Sequence, residues 1–434
     1  MKRGMVKFGL VMACMLLMTL GLIGCGGNGN SGADGGSSGG EKVTLTLWAD
    51  WTEDRPEYNL YKDKVDTFNK KHPNIEIKYV GVPHAQIETK LRTAAAGDSL
   101  PDLFHGYVNN RMLSFIQGKT VMPIDDIMDN WKGEIPEALL DPMNFNGKQY
   151  AIPSNVSATS LIFYHKSMLE KVGYDKFPKT FDEFKTMIKK LNDANVTPIA
   201  LGNNAPWVLQ SCYLSSIGDR ITGSDFLPKV QSGDAKFTSD QFVRALKAIK
   251  QLKDIHAFNE DFNTIKEARS RSYFIQGKAA MHVAGSWALG PILTGVSDKS
   301  DIGVAVFPKF KGGDGNPSQT SATVGGGIYV KSGLSDAEKK AAKSFLKYFY
   351  DKELYKNLAK VNVLVPVDVN QVEGLTNLYK QINAITSKGV TPVYDATLKP
   401  EVIGVMNPGL QSITIGSTTP EKLAKKLQQT IEEQ

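Results

Sequence analysis

Apolar and polar residues change rhythm several times along the chain, and each change marks an element. An uncharged apolar run from Phe8 to Ile23 follows Lys2, Arg3 and Lys7. It is shorter than the roughly 20 residues a membrane-spanning helix needs and has the layout of a secretion signal. Gly26 to Gly40 holds eight glycines and no bulky side chain. It cannot bury enough surface to fold, and as a random coil it spans about 20 Å. Val43, Leu45, Leu47, Ala49 and Trp51 then alternate with Thr44, Thr46 and Trp48, the period of two of a strand. Tyr58, Tyr61, Val65 and Phe68 follow at helical spacing until His72-Pro73-Asn74 stops the helix, after which Ile75, Ile77 and Tyr79 alternate again. Strand, helix, strand implies a right-handed crossover and a parallel sheet. A second helix carries Ile87, Leu91 and Ala94 to Gly97, and Pro101 to Phe104 reads as a third short strand.

Further along, Gln149 to Pro153 and Ser160 to Tyr164 are β-like runs separated by the polar Ser154 to Thr159, a place for the chain to cross between lobes. Thr180 with Glu183 forms a capping box opening a helix that carries Phe184, Ile188 and Leu191. Pro198 to Leu201 is a strand followed by the loop Asn203 to Trp207. Thr238 with Gln241 repeats the capping pattern ahead of Phe242, Leu246, Ile249 and Leu252. Ala279 to Val283 extends before the turn Gly285-Ser286-Trp287, and Ile302 to Val306 and Val324 to Val330 extend again. Ser335 with Glu338 and Thr419 with Pro420 open two late helices. No repeat of 20 to 50 residues is present.

About 394 residues follow residue 40, enough for two lobes of ordinary domain size. Together with the crossover this predicts an α/β fold. Loss of Lys2, Arg3 and Lys7 with the signal lowers the formal net charge from +6 to +3, so nothing calls for nucleic acid or an anionic partner. Of the three cysteines, Cys14 leaves with the signal, and Cys25 and Cys212 remain. No second run is long enough to span a bilayer.

Catalytic signatures are largely missing: there is no HExxH, CxxC, GxxxxGK or GxGxxG. The single GxSxG, Gly35 to Gly39, lies in the glycine-rich stretch, where no strand or helix aims Ser37. The six histidines never form i, i+4 pairs, so the reading includes no metal and no cofactor. Acidic pairs such as Asp125-Asp126 are adjacent and diverge on most backbones. The tryptophans carry more. Trp51, Trp207 and Trp287 each follow a predicted strand beside small or polar residues, and ligands gather at the C-terminal ends of strands in α/β sheets. An indole face suits the apolar face of a sugar ring, although a lone tryptophan so placed serves lobe packing equally well. Trp48 and Trp131 are assigned to the core.

Two resemblances sharpen this reading. Leu22-Ile23-Gly24-Cys25 resembles the lipobox of bacterial lipoproteins, which implies cleavage before Cys25 and its lipidation. In their order, the lipobox, the Gly/Ser tether, Val43 to Trp51, Ala96 to Phe104, Gly147 to Pro153, Phe163 to Glu183 and Phe274 to Trp287 resemble the family 1 extracellular solute-binding proteins, sugar-binding lipoproteins of ABC importers. The resemblance implies a two-lobed, periplasmic-binding-protein-like (type II) α/β fold with a multi-segment hinge. Residues 1–24 would be the signal peptide, 25–40 the lipidated cysteine and tether, 41–152 and 303–331 one lobe, and 153–302 and 332–434 the other, with crossings near Pro153, Ile302 and Val330. It further implies a monomer without enzymatic activity, anchored by lipid to the outer face of the cell membrane, that captures a carbohydrate between the lobes and delivers it to the transmembrane subunits of a permease. The ligand residues it implies are Trp51, Glu53, Tyr107, Asn109, Asn155, Ser157, Trp207, Ser286, Trp287 and Gly326. The loop after Phe104 lacks the tryptophan or aspartate of some sugar binders, and His165 replaces a common asparagine, a difference read as structural. Two rivals stay open: a secreted lipoprotein glycoside hydrolase, and a binding protein of the same fold for a peptide or other polar solute.

Overall fold

The computed structural model describes residues 42–53 and 55–433; the signal peptide, Cys25 and the tether lie outside the described residues. Two sheets with separate cores organise the chain. In the first, strands Val43–Ala49, Ile75–Gly81 and Leu103–Gly106 run parallel, with Val43–Ala49 in the middle. The long strand Thr320–Lys331 closes this sheet antiparallel to Leu103–Gly106. The alternation read from the sequence is the reason: Leu45, Leu47 and Ala49 point into a core that also holds Tyr61, Val65 and Phe68 of the helix Pro56–Lys71. Proline at the start of that helix supplies a fixed φ where no N–H is needed. The third strand lies two residues later than expected.

The second sheet has the order Ile302–Ala305, Leu161–His165, Ala279–Ala284, Thr197–Ala200, the last pair parallel. Its core gathers Phe184, Ile188 and Leu191 from the helix Phe181–Asp193, Phe242, Leu246 and Leu252 from Asp240–Asp254, and Leu423 and Leu427 from Pro420–Glu432. The Thr180–Glu183 and Ser335–Glu338 capping boxes both form. Thr238 does not cap its helix. Ser239, one residue later, accepts the Phe242 N–H instead.

The lobe boundaries differ from the expected ones. Residues 303–319 belong with the second sheet, since Phe307 and Phe310 are in its core and Arg220 donates to the Phe307 carbonyl. The helices Asp336–Phe349 and Lys352–Lys360, expected in the second lobe, pack on the first sheet through Ala342, Phe345, Phe349, Leu354 and Leu358. The crossing is also built otherwise. Polar residues read as a gap form the strand Asn155–Ala158, which pairs antiparallel with Ala322–Gly326 of the long strand. The long strand therefore starts beside the second lobe, where Thr320 Oγ1 donates to the Ser160 carbonyl, and ends paired with Leu103 in the first. A hinge of two antiparallel strands, not of points at Ile302 and Val330, joins the lobes.

Candidate functional site

Because Val43–Ala49, Ile75–Gly81 and Leu103–Gly106 are parallel, their C-terminal ends share one edge of the first sheet. Asp50, His84 and Tyr107 stand just beyond those ends and meet there. Asp50 is 3% exposed. Its Oδ2 accepts the Tyr107 hydroxyl at 2.6 Å and lies 2.7 Å from His84 Nδ1, while Oδ1 is 3.0 Å from His105 Nδ1. Burial by itself pushes the Asp50 carboxyl up, but His105 and His84 at its oxygens outweigh that and hold it well below the usual carboxylate range. With Nδ1–H donated to Asp50, the neutral His84 ring keeps Nε2 as an acceptor on a half-exposed side chain. Arg111 lies 3.8 Å above the Tyr107 ring and pairs with Glu88.

The second lobe supplies the aromatic side. Thr197–Ala200 and Ala279–Ala284 are parallel, so Trp207 and Trp287 follow strand ends on a common edge. Their rings stand 5.7 Å apart at 63°, an edge-to-face pair. Gly285 makes the placement of Trp287 possible: a Cβ on it would lie 2.0 Å from the indole. His84 of the first lobe stands 6.3 Å from the Trp207 ring, at 68°, and 5.6 Å from Tyr107. A polar network from one lobe thus faces an aromatic pair from the other. This arrangement can pack against the flat apolar face of a solute and exchange hydrogen bonds with its polar edge.

Asp395 joins the site from the short helix Tyr394–Thr397. Burial raises its carboxyl despite the opposing pull of Arg111 and His84. The segment contacts both lobes: Val393 and Ala396 pack with the first, Tyr394 and Leu398 with the second, and the Thr397 carbonyl accepts from Asn110 of the first and from Gln231 of the second. Behind the aromatic side, Arg271 binds Glu267 through both carboxylate oxygens, and His282 Nε2 lies 3.2 Å from Oε1. Burial opposes ionisation there too, yet Arg271, His282 and Arg55 of the other lobe hold Glu267 down to about 2.

Of the sequence-predicted residues, Tyr107, Trp207 and Trp287 come together. Trp51 does not. It is 2% exposed and stacks on Tyr79 at 5.7 Å and Phe349 at 5.6 Å inside the first core. Glu53 is exposed and accepts from Arg55 at 2.7 Å. Asn109 opens the turn Asn109–Arg111, its side chain lying outside the described atoms. Asn155 and Ser157 sit half-buried on the hinge strand with both side chains over Gly325. Ser286 is buried, 3.5 Å from the Val156 carbonyl. Gly326, at φ +148, is buried against His105, where a Cβ would lie 2.6 Å from Nε2. His165 bridges Asp301 and the Phe274 carbonyl, a structural use. Asp50, His84, Arg111 and Asp395 were missed; His84, just past a strand end like the tryptophans, was open to the same rule. Among the described residues no group of three or more His, Cys, Asp or Glu is placed to hold a metal, and no helix is long and apolar enough to cross a membrane.

Residues 52–356 match the family model of bacterial extracellular solute-binding proteins, and the chain belongs to that family. It is 26% identical to the multiple sugar-binding protein of Streptococcus mutans over 71% of both chains. An uncharacterized ABC transporter extracellular-binding protein of Pyrococcus horikoshii is 29% identical over 51% of each chain. Among solved structures, a chitin oligosaccharide binding protein superposes with a TM-score of 0.84 at 26% identity, covering 91% of this chain and 99% of that one.

Proposed function

We propose that this protein is the carbohydrate-binding lipoprotein of an ABC importer, a monomer anchored through Cys25 on the outer face of the cell membrane. It takes up a mono- or oligosaccharide between its lobes, hands it to the permease, and performs no catalysis of its own. The observation that carries this reading is the opposition of Trp207 and Trp287 to the Asp50–His84–Tyr107 network. The two indoles take the apolar ring face, while His84 Nε2 and the Asp395 carboxyl take hydroxyls. Support comes from relatives whose names specify sugars and chitin oligosaccharides, and from the sequence Leu22 to Cys25. A ligand closes the lobes only by binding the closed form better than the open one, and contact with both lobes does that.

A thermal-shift screen over mono- and oligosaccharides is the test, because a ligand bound only by the folded state stabilises it by about 2.7 kcal/mol at a hundred times its Kd. A shift with a sugar, and a smaller radius of gyration by X-ray scattering in its presence, is the expected result. No shift with any sugar but one with peptides gives the site to another polar solute. Cys25→Ser separately tests the anchor: the variant leaves the membrane fraction, whereas retention after a high-salt wash refutes lipidation.

One observation favours the hydrolase reading: Asp50 is pushed down and Asp395 up in the same cleft, the divergence an acid and base pair shows. Release of reducing ends from a sugar that binds decides it.

A further inference from the structure

A cavity of about 290 Å³ opens in the first lobe between Trp131, Tyr350, Tyr355 and Val367. None of these residues belongs to the cleft described above. Its wall is carbon, because each polar atom of the three rings is engaged elsewhere. Trp131 Nε1 donates to the Tyr350 carbonyl at 2.8 Å, the Tyr350 hydroxyl lies on Ser154 and the Ile328 N–H, and the Tyr355 hydroxyl donates to the Pro153 carbonyl at 2.8 Å.

The mouth is charged, and its charges do not cancel. Glu134 holds Lys352 at 2.8 Å. Asp351 receives Lys64 and the Leu354 N–H, and Asp368 the Asn370 N–H at 2.8 Å. That leaves the ammonium groups of Lys347 and Lys356, which also line the cavity and have no carboxylate partner among the described residues. The acids are engaged and the surplus is positive. We infer that the cavity binds a small carboxylate with a flat apolar body, the ring against Trp131, Tyr350 and Val367 and the anion between Lys347 and Lys356. Its volume sits at the lower end of small-molecule sites, which limits the ligand to about a single ring. A neutral ring leaves the two ammonium groups unmatched, and a cationic one is repelled.

The probe is benzoate, with benzamide and benzylamine as neutral and cationic shapes of the same size, titrated calorimetrically into the mature protein. Saturable benzoate binding at least tenfold tighter than benzamide, and none for benzylamine, is expected. The double variant Lys347→Gln, Lys356→Gln, checked for an unchanged melting temperature, loses that preference. Val367→Trp fills the space and abolishes binding, and Trp207→Ala leaves it as it was. Absence of saturable benzoate binding, equal binding of benzoate and benzamide, or loss of binding in Trp207→Ala overturns the assignment. None of these outcomes depends on what occupies the cleft between the lobes.

Discussion

The Tyr350 hydroxyl lies 3.0 Å from Ser154 Oγ and accepts the Ile328 N–H at 2.9 Å. One side chain of the first lobe thereby fastens both strands of the hinge, one just before Asn155–Ala158 and one within Thr320–Lys331. Tyr350→Phe keeps the ring and removes the fastening. It strands a buried N–H, at a cost of about 1–3 kcal/mol, and frees the two strands to shift against each other. The expected outcome is a lower denaturation midpoint together with an altered sugar affinity, although Tyr350 touches no cleft residue. Unchanged affinity in the variant would mean that the hinge is set elsewhere.

Trp207 and Trp287 touch each other, so their losses are not independent. Trp207→Ala and Trp287→Ala are each expected to weaken sugar binding by about tenfold, on the order of 1–2 kcal/mol. The double variant should lose less than the sum, because removing either ring also frees the edge of the other. Calorimetric titration of all three variants reads this directly, and wild-type affinity in both single variants would return the indoles to packing.

Trp51→Ala should behave in the opposite way. The indole lies between Tyr79 and Phe349 in the core, and emptying such a site costs about 3–5 kcal/mol. Chemical denaturation should record that loss, while sugar affinity measured on the folded fraction stays within about threefold of wild type.

Acid should loosen the protein through Glu267. Its carboxyl is lowered from an ordinary 4.5 to about 2. A depressed acid contributes stability that is complete above the unfolded value and disappears as pH falls through the folded one. The window is therefore from about pH 5 down to about pH 2, and the contribution is on the order of 3 kcal/mol. Glu267→Gln should lower stability at pH 7 and flatten the fall between pH 5 and 3, as read from urea midpoints across pH. An unchanged slope would assign the acid limb to other carboxyls, Asp50 among them.

How much of this was legible varies with the range of the interaction. Local signals held: alternation located Val43–Ala49, and the spacing of Ser335 and Glu338 located a helix start to the residue. Trp51 is instructive, since alternation had already put it on the face of Leu45, Leu47 and Ala49, and that face is buried. Its place after a strand end pointed the other way, and packing followed the period. Long-range facts were not legible. Nothing in the amphipathic pattern of Asp336–Phe349 says which sheet it covers. His84 and Asp50 meet only because two parallel strands end on one edge, and Asp395 arrives from a segment hundreds of residues later.

The first sheet waits for Thr320–Lys331 and then for Asp336–Phe349, and the second for Pro400–Thr414 and Pro420–Glu432. A chain emerging from the ribosome N-terminus first, at ~5–20 residues per second, therefore cannot complete either half until it is almost entirely made. Both halves remain open-edged and apolar for nearly the whole of synthesis. Whatever escorts the newborn polypeptide must hold it unfolded as one length, because no finished half is available to hand over early.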